Sequence, residues 1–134
     1  MAGDGLVTLP SVHDFATTLR RLTQALEAKG LTIFASVDHA AGAANVGMTL
    51  RPTTMLMFGN AAGGTPLMQA AQTAGIDLPL KALIWQDADG SVRLSYNDPG
   101  WIAERHGISG GAAPAVAGLR GALAALARHA TSGD

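Results

Sequence analysis

The alternation of apolar and polar positions divides this chain into short strands and amphipathic helices. Leu6-Val7-Thr8-Leu9-Pro10 reads as a first strand, closed by Pro10 because proline lacks the amide hydrogen that a ladder needs. The period then changes. Phe15, Leu19, Leu22 and Leu26 follow at helical steps, Ser11 can cap the free N–H groups, Asp14 stands three residues on, and Lys29-Gly30 suits a helix end. The pattern predicts a helix from Ser11 to about residue 29. Residues 31 to 37 alternate again, with Ile33, Ala35 and Val37 expected on one face of a strand and Thr32, Phe34 and Ser36 on the other. Ala40 to Val46 then fits a helix of one or two turns ending at Gly47.

Thr53 to Phe58 predicts a central strand. Its Met55-Leu56-Met57-Phe58 run does not alternate, so cover is expected on both faces, or on one face with a second subunit on the other. Gly59 to Gly64 reads as a flexible loop, followed by a helix with Thr65 as cap and Pro66 at its first position, running to about Ala74. Leu80 to Trp85 and Ser91 to Tyr96 flank Asp87-Ala88-Asp89-Gly90, whose turn chemistry predicts a hairpin. Asp98-Pro99 opens a short helix through His106, and Gly107 to Gly111 forms a hinge. In the final helix, from near Pro114, Val116, Leu119, Leu123 and Leu126 form one stripe while Gly118, Gly121, Ala122 and Ala125 allow close backbone approach. With no internal repeat or linker, the expected architecture is one α+β domain over residues 1–134. It is a mixed or antiparallel sheet with helices mainly on one face.

Composition narrows the partners. The 134 residues are 48% hydrophobic and 14% charged, enough to bury one core. Nine Lys+Arg against ten Asp+Glu leave a net charge of -1, without the cationic excess that holds nucleic acid or an anionic membrane, so neither is an expected partner. The absence of Cys removes disulfides, thiolate zinc sites and Cys nucleophiles. No run of about 18 apolar residues and no signal-like N-terminus is found, which sets the expectation of a cytoplasmic protein.

Six blocks carry a family resemblance. They are Asp38-His39-Ala40-Ala41-Gly42-Ala43, Leu50-Arg51-Pro52-Thr53-Thr54, Phe58-Gly59-Asn60, Thr65-Pro66-Leu67-Met68, Asp77-Leu78-Pro79-Leu80-Lys81 and Ser95-Tyr96-Asn97-Asp98-Pro99. Between Leu31 and Ile108 the chain resembles the bacterial family called domain of unknown function 302. The resemblance implies a saddle-like strand-helix-four-strand-helix arrangement and a homodimer. It implies no activity, substrate or cofactor, and it leaves outside it the Ala-rich helix of about residues 113–130.

The candidate ligand-binding residues are Asp38, His39, Asn60, Thr65, Tyr96 and Asn97, all at strand exits or helix starts, where side chains and unpaired N–H groups are available. One concave region at a common sheet edge is expected to hold them. Each has an alternative use: Asp38 can cap a helix, and Asn97 can bond its own turn. Gly59 and Gly64 have Walker spacing, but Thr65 and Pro66 replace the Lys and Ser/Thr, leaving at most anion binding by N–H groups at a helix start. Met48, Met55, Met57 and Met68 could line an adaptable apolar pocket or fill the core. His13, His39, His106 and His129 show no metal spacing, so no metal and no cofactor are expected. The favoured reading is a non-catalytic, homodimeric small-molecule or anion-binding module. The alternatives are an enzyme with His39 as general base, supported by Asp38, Asn60 and Tyr96, and a purely structural dimer.

Overall fold

The structure, a computed structural model, describes residues 4–133. Among these residues five strands form one sheet: β1 (Leu6–Pro10), β2 (Thr32–Asp38), β3 (Thr53–Gly59), β4 (Leu80–Gln86) and β5 (Val92–Asn97), in the order β1-β5-β4-β3-β2. Every pairing is antiparallel. The helices are α1 (Phe15–Ala28), α2 (His39–Asn45), α3 (Ala61–Ala70), α4 (Pro99–Arg105) and α5 (Ala113–Thr131). This is an α+β fold.

The core lies between α1 and α5 and one face of the sheet. Leu22 and Leu26 of α1 and Leu123, Leu126, Ala127 and Ala130 of α5 meet Leu56, Phe58, Ala82, Ile84 and Leu94. A smaller cluster of Leu67, Ala74, Ala103 and Val116 joins it through the half-buried Leu78 and Leu119. Together with the 3-10 turn before it, α5 (Gly110–Thr131) is long and apolar enough to cross a membrane by length and composition. Its Leu123, Leu126, Ala127 and Ala130 are nonetheless at most 2% exposed within this core.

Four local expectations are corrected. The first helix begins at Phe15, because Asp14 rather than Ser11 caps it by accepting from the Thr17 N–H at 2.8 Å. Ser11 instead shares a 2.7 Å bond between its hydroxyl and that of Thr18. In β2 the register slips: Ile33 lies opposite Phe58 but Ala35 lies opposite Met57, so two residues of β2 oppose one of β3. That bulge at Phe34 turns Ala35 and Val37 to the face away from the helices, separating them from Ile33. The central position belongs to β4, with β3 beside it. β3 does alternate: Thr54, Leu56 and Phe58 are buried against the helices, and Met55 and Met57 are half-buried on the other face.

The fourth correction bears on the site. Residues 61 to 64, expected as a loop, are the first turn of α3, and Asn60, not Thr65, is its cap. The Asn60 side chain accepts from the Gly63 N–H at 2.7 Å, and that local bond starts the helix despite two glycines. Pro66 therefore sits inside α3. The helix ends at Ala70, and a 3-10 turn, Gln72–Ile76, completes the stretch expected as helix to Ala74.

Candidate functional site

An apolar cavity of about 380 Å³ lies where the end of β3, the start of α3 and the middle of α5 meet. Leu31 and Phe34 come from the β2 side, Phe58 closes its floor, and Leu78, Pro79 and Leu80 bring the chain into β4. Leu119, Ala122, Leu123 and Leu126 line it from α5, and Met68 from α3. Gly59, with φ +148°, makes the turn from strand to cap in a conformation that a side chain disfavours. Among the described residues the only lining side chain with polar atoms is Asn60, and no charged side chain lines the cavity. The α5 stripe read from the sequence serves here as a wall: Leu123 and Leu126 are buried while Leu119 stays half-exposed at the opening.

Of the six candidate residues, Asn60 alone lines this cavity. Asp38 and His39 lie at the opposite end of the sheet. Asp38 pairs with Thr54, six residues before Asn60 along β3, which is about 20 Å of strand. Asp38 accepts from the Ala41 N–H at 2.9 Å as the cap of α2, and His39 is that helix's exposed first residue. Thr65 is exposed on α3, past its first turn. Tyr96 and Asn97 end β5 at the sheet edge that Asn60 also occupies, but on opposite faces. Tyr96 is buried among the core residues, where burial first, and then the Asp98 charge, push its phenol above the ordinary range. The expected single cluster is therefore not assembled within one chain, because antiparallel strands send alternate exits to opposite edges. The same geometry separates His39 from the Asn60 and Tyr96 that were to support it as a base.

The best-connected titratable group was missed by sequence reasoning. His106, expected to be solvated or capping, has a side chain only 8% exposed, with Nε2 2.6 Å from Asp77 Oδ2. Its Nδ1 is 2.9 Å from the Thr73 hydroxyl, and Arg105 Nη1 donates to both Asp77 oxygens at 3.0 Å. With the Nε2 proton donated to Asp77, Nδ1 accepts from Thr73, an order of hydroxyl, imidazole and carboxylate that could activate a nucleophile. Thr73 is exposed, however, and none of the three lines the cavity. What these bonds do is fasten the 3-10 turn before β4 to the end of α4. Separations of 29 and 33 residues left no motif by which to find them.

A chain of polar contacts also crosses the face of the sheet opposite α1 and α5. Trp85 Nε1 donates to the Ser95 hydroxyl at 2.9 Å, which lies 2.8 Å from that of Thr8, and the Arg93 guanidinium stands 5.7 Å from the Trp85 ring centre. Beside it Leu83, Met55 and Val37 form one cross-strand row. Val37, at the edge, is 37% exposed.

The architecture has a close structural counterpart. The crystal structure of an uncharacterized conserved DUF302 protein from Bacillus stearothermophilus matches with a TM-score of 0.84, over 96% of this chain and 99% of that one, at 16% identity. At that identity the likeness speaks to the fold. Among curated proteins, the chain is 46% identical over 104 residues to fluoride-specific ion channel FluC 1 of Brucella suis biovar 1, covering 78% of this chain and 41% of that protein. Fluoride-specific ion channel FluC 2 of Brucella melitensis biotype 1 matches at the same identity over 104 residues, which are 38% of its length. The chain thus spans about two fifths of the curated relatives it matches. The profile of one family covers residues 7–126, and the chain belongs to that family, domain of unknown function DUF302.

Proposed function

We propose that this chain is a non-catalytic small-molecule-binding module whose ligand site is the cavity between β3, α3 and α5. The observation that carries the reading is the cavity itself, whose volume of about 380 Å³ lies within the usual range of ligand sites and whose walls are apolar. Catalysis needs a tuned acid, base or nucleophile, and the lining offers only an amide, Asn60. Without a cation in the described walls, the small-molecule half of the expected function is supported over the anion-binding half. Titration with the neutral fluorophore N-phenyl-1-naphthylamine tests it: saturable emission enhancement at one site per chain is expected. No enhancement, or enhancement unchanged in both Ala122→Trp and Ala61→Trp, each at an exposed lining position, rejects the site.

The module is proposed to be a homodimer. The face of the sheet opposite the helices carries Leu83, Met55, Met57 and Val37, and a second copy would remove this row from water. Sedimentation equilibrium at micromolar concentration is expected to give twice 13.6 kDa, and a single species at 13.6 kDa rejects the dimer.

A second reading rests on the Brucella relatives. Conduction of an ion across a bilayer needs membrane-spanning segments. In the described residues the only helix that meets the length and composition of a span packs one face, with Leu123, Leu126, Ala127 and Ala130, against the sheet and leaves much of its length exposed. This supports an accessory role beside a fluoride channel, with conduction in the rest of those proteins. Expression of this chain alone in a fluoride-sensitive, channel-deficient strain is then expected to leave the strain sensitive, and rescue by the chain alone overturns the reading.

A further inference from the structure

Resting on that reading of the cavity, we infer that its ligand is an uncharged amphiphile: an apolar body of roughly 12–15 carbon atoms with one neutral, hydrogen-bond-accepting end. The size follows from comparison with a dry apolar cavity of about 150 Å³, which holds one six-carbon benzene ring. A space of about 380 Å³ is some two and a half times larger.

Charge decides the class. A carboxylate or ammonium taken between Phe58, Leu119, Leu123 and Met68 would lose its hydration and find no counter-charge, since no ionisable side chain among the described residues lines the space. The nearby cations are directed elsewhere. Lys81 adjoins the lining residue Leu80 but projects to the opposite face of the sheet, and Arg120 is bonded to Asp98 at 3.0 Å. An ionised amphiphile could therefore bury its tail only by leaving its head outside, which shortens the part that fits.

The polarity of the end group follows from Asn60. Its side-chain oxygen already accepts from the Gly63 N–H at 2.7 Å, so the group left to offer is its NH₂, a donor. A carbonyl, ether or hydroxyl oxygen satisfies it without introducing a charge. The walls are also adaptable in length: Met68 is unbranched, and Gly63 and Gly64 keep the α3 side thin.

The experiment is competition. N-phenyl-1-naphthylamine is bound to the full chain at pH 8, and decan-1-ol and decanoate, equal in chain length and different in charge, are titrated against it. The alcohol is expected to displace the probe at a concentration at least tenfold lower than the carboxylate. Equal displacement, better displacement by decanoate, or displacement by neither overturns the ligand class while leaving the site standing. The site itself is read separately with Ala122→Trp and Ala61→Trp, both at exposed lining positions and so each able to fold, as circular dichroism would verify. Loss of at least tenfold in probe affinity in either folded variant supports the site, and unchanged affinity in both rejects the cavity reading and this inference together.

Discussion

Two leucines should separate stability from binding. Leu22 is 1% exposed between α1 and the sheet and does not line the cavity, whereas Leu119 is half-buried and forms part of its wall. Leu22→Ala removes three buried carbons, about 2.4 kcal/mol at ~0.8 kcal/mol for each. If a void of roughly 60 Å³ remains, the cavity term of ~24 cal/mol per Å³ adds about 1.5 kcal/mol, for a total of about 4 kcal/mol. Leu119→Ala forfeits about half of the transfer term and opens no closed void, because its space joins one already open, so about 1.2 kcal/mol is expected. Urea unfolding at 25 °C, followed by the fluorescence of the two tryptophans, measures both. A domain stable by about 5–15 kcal/mol keeps a measurable transition in either variant. Probe affinity should move the other way, unchanged in Leu22→Ala and weakened severalfold in Leu119→Ala. Equal destabilisation by the two substitutions would refute the reasoning, since Leu119 would then be packed as tightly as Leu22 and the cavity closed in solution.

Three further outcomes rest on the same geometry. Hydrogen bonds from Thr17 hold the Asp14 carboxyl below its ordinary range, so its contribution to stability is present above about pH 4 and is lost as the pH falls through the lowered folded-state value. Asp14→Asn keeps a cap that does not titrate, so melting temperature measured from pH 6 to pH 2.5 should fall less steeply than in the parent chain; an unchanged slope refutes the assignment. Deletion of Phe34 should leave a folded protein with β2 in a regular ladder, because Ile33 and Ala35 already face opposite partners one residue apart on β3, and probe affinity should drop with the loss of that rim residue. An unfolded deletion product by circular dichroism would show the bulge to be required. Met55→Lys, on the sheet face opposite α1 and α5, should convert the proposed dimer to a monomer in sedimentation while the circular dichroism spectrum stays native, whereas a persisting dimer would move the interface elsewhere.

Elements with strong local signals were legible in the sequence. The hairpin is closed by Gly90 N–H to Asp87 C=O at 3.0 Å, and the Asp-rich turn announces it. Asp98-Pro99 announces α4 for an equally local reason, since proline at the first helical position gives up a hydrogen bond that no helix start could make. Prediction failed where a tertiary or competing local interaction decided the outcome. Two helix starts were placed on Ser11 and Thr65, good caps both, but Asp14 and Asn60 stood nearby and captured the N–H groups instead. At β2 the seven-residue alternation was real as chemistry and misleading as geometry, because pairing with β3 inserts a bulge that no turn residue marks.

The site was less legible because a cavity is a property of three separated segments, while each residue lining it has an adequate local use. Leu119, Leu123 and Leu126 read as a packing stripe, and Leu123 and Leu126 do pack; only their position over the gap between Phe58 and Met68 makes them walls as well. Polar residues attract functional readings, and so the expectation gathered Asp38, His39, Tyr96 and Asn97, whose roles here are capping, exposure, core burial and strand pairing. Asn60, the one member that lines the cavity, was chosen for its place at a strand exit, and that is the feature with physical content. At the exit the backbone must leave the ladder, the cap must leave a side-chain donor facing outward, and the next helix must diverge from the sheet. A strand that ends in glycine and a capping asparagine, opposite a helix rich in alanine and glycine, leaves room that no large side chain fills. In a chain only 4% aromatic, such room is a consequence of composition, and Met68, the one lining residue also foreseen as a pocket methionine, borders it.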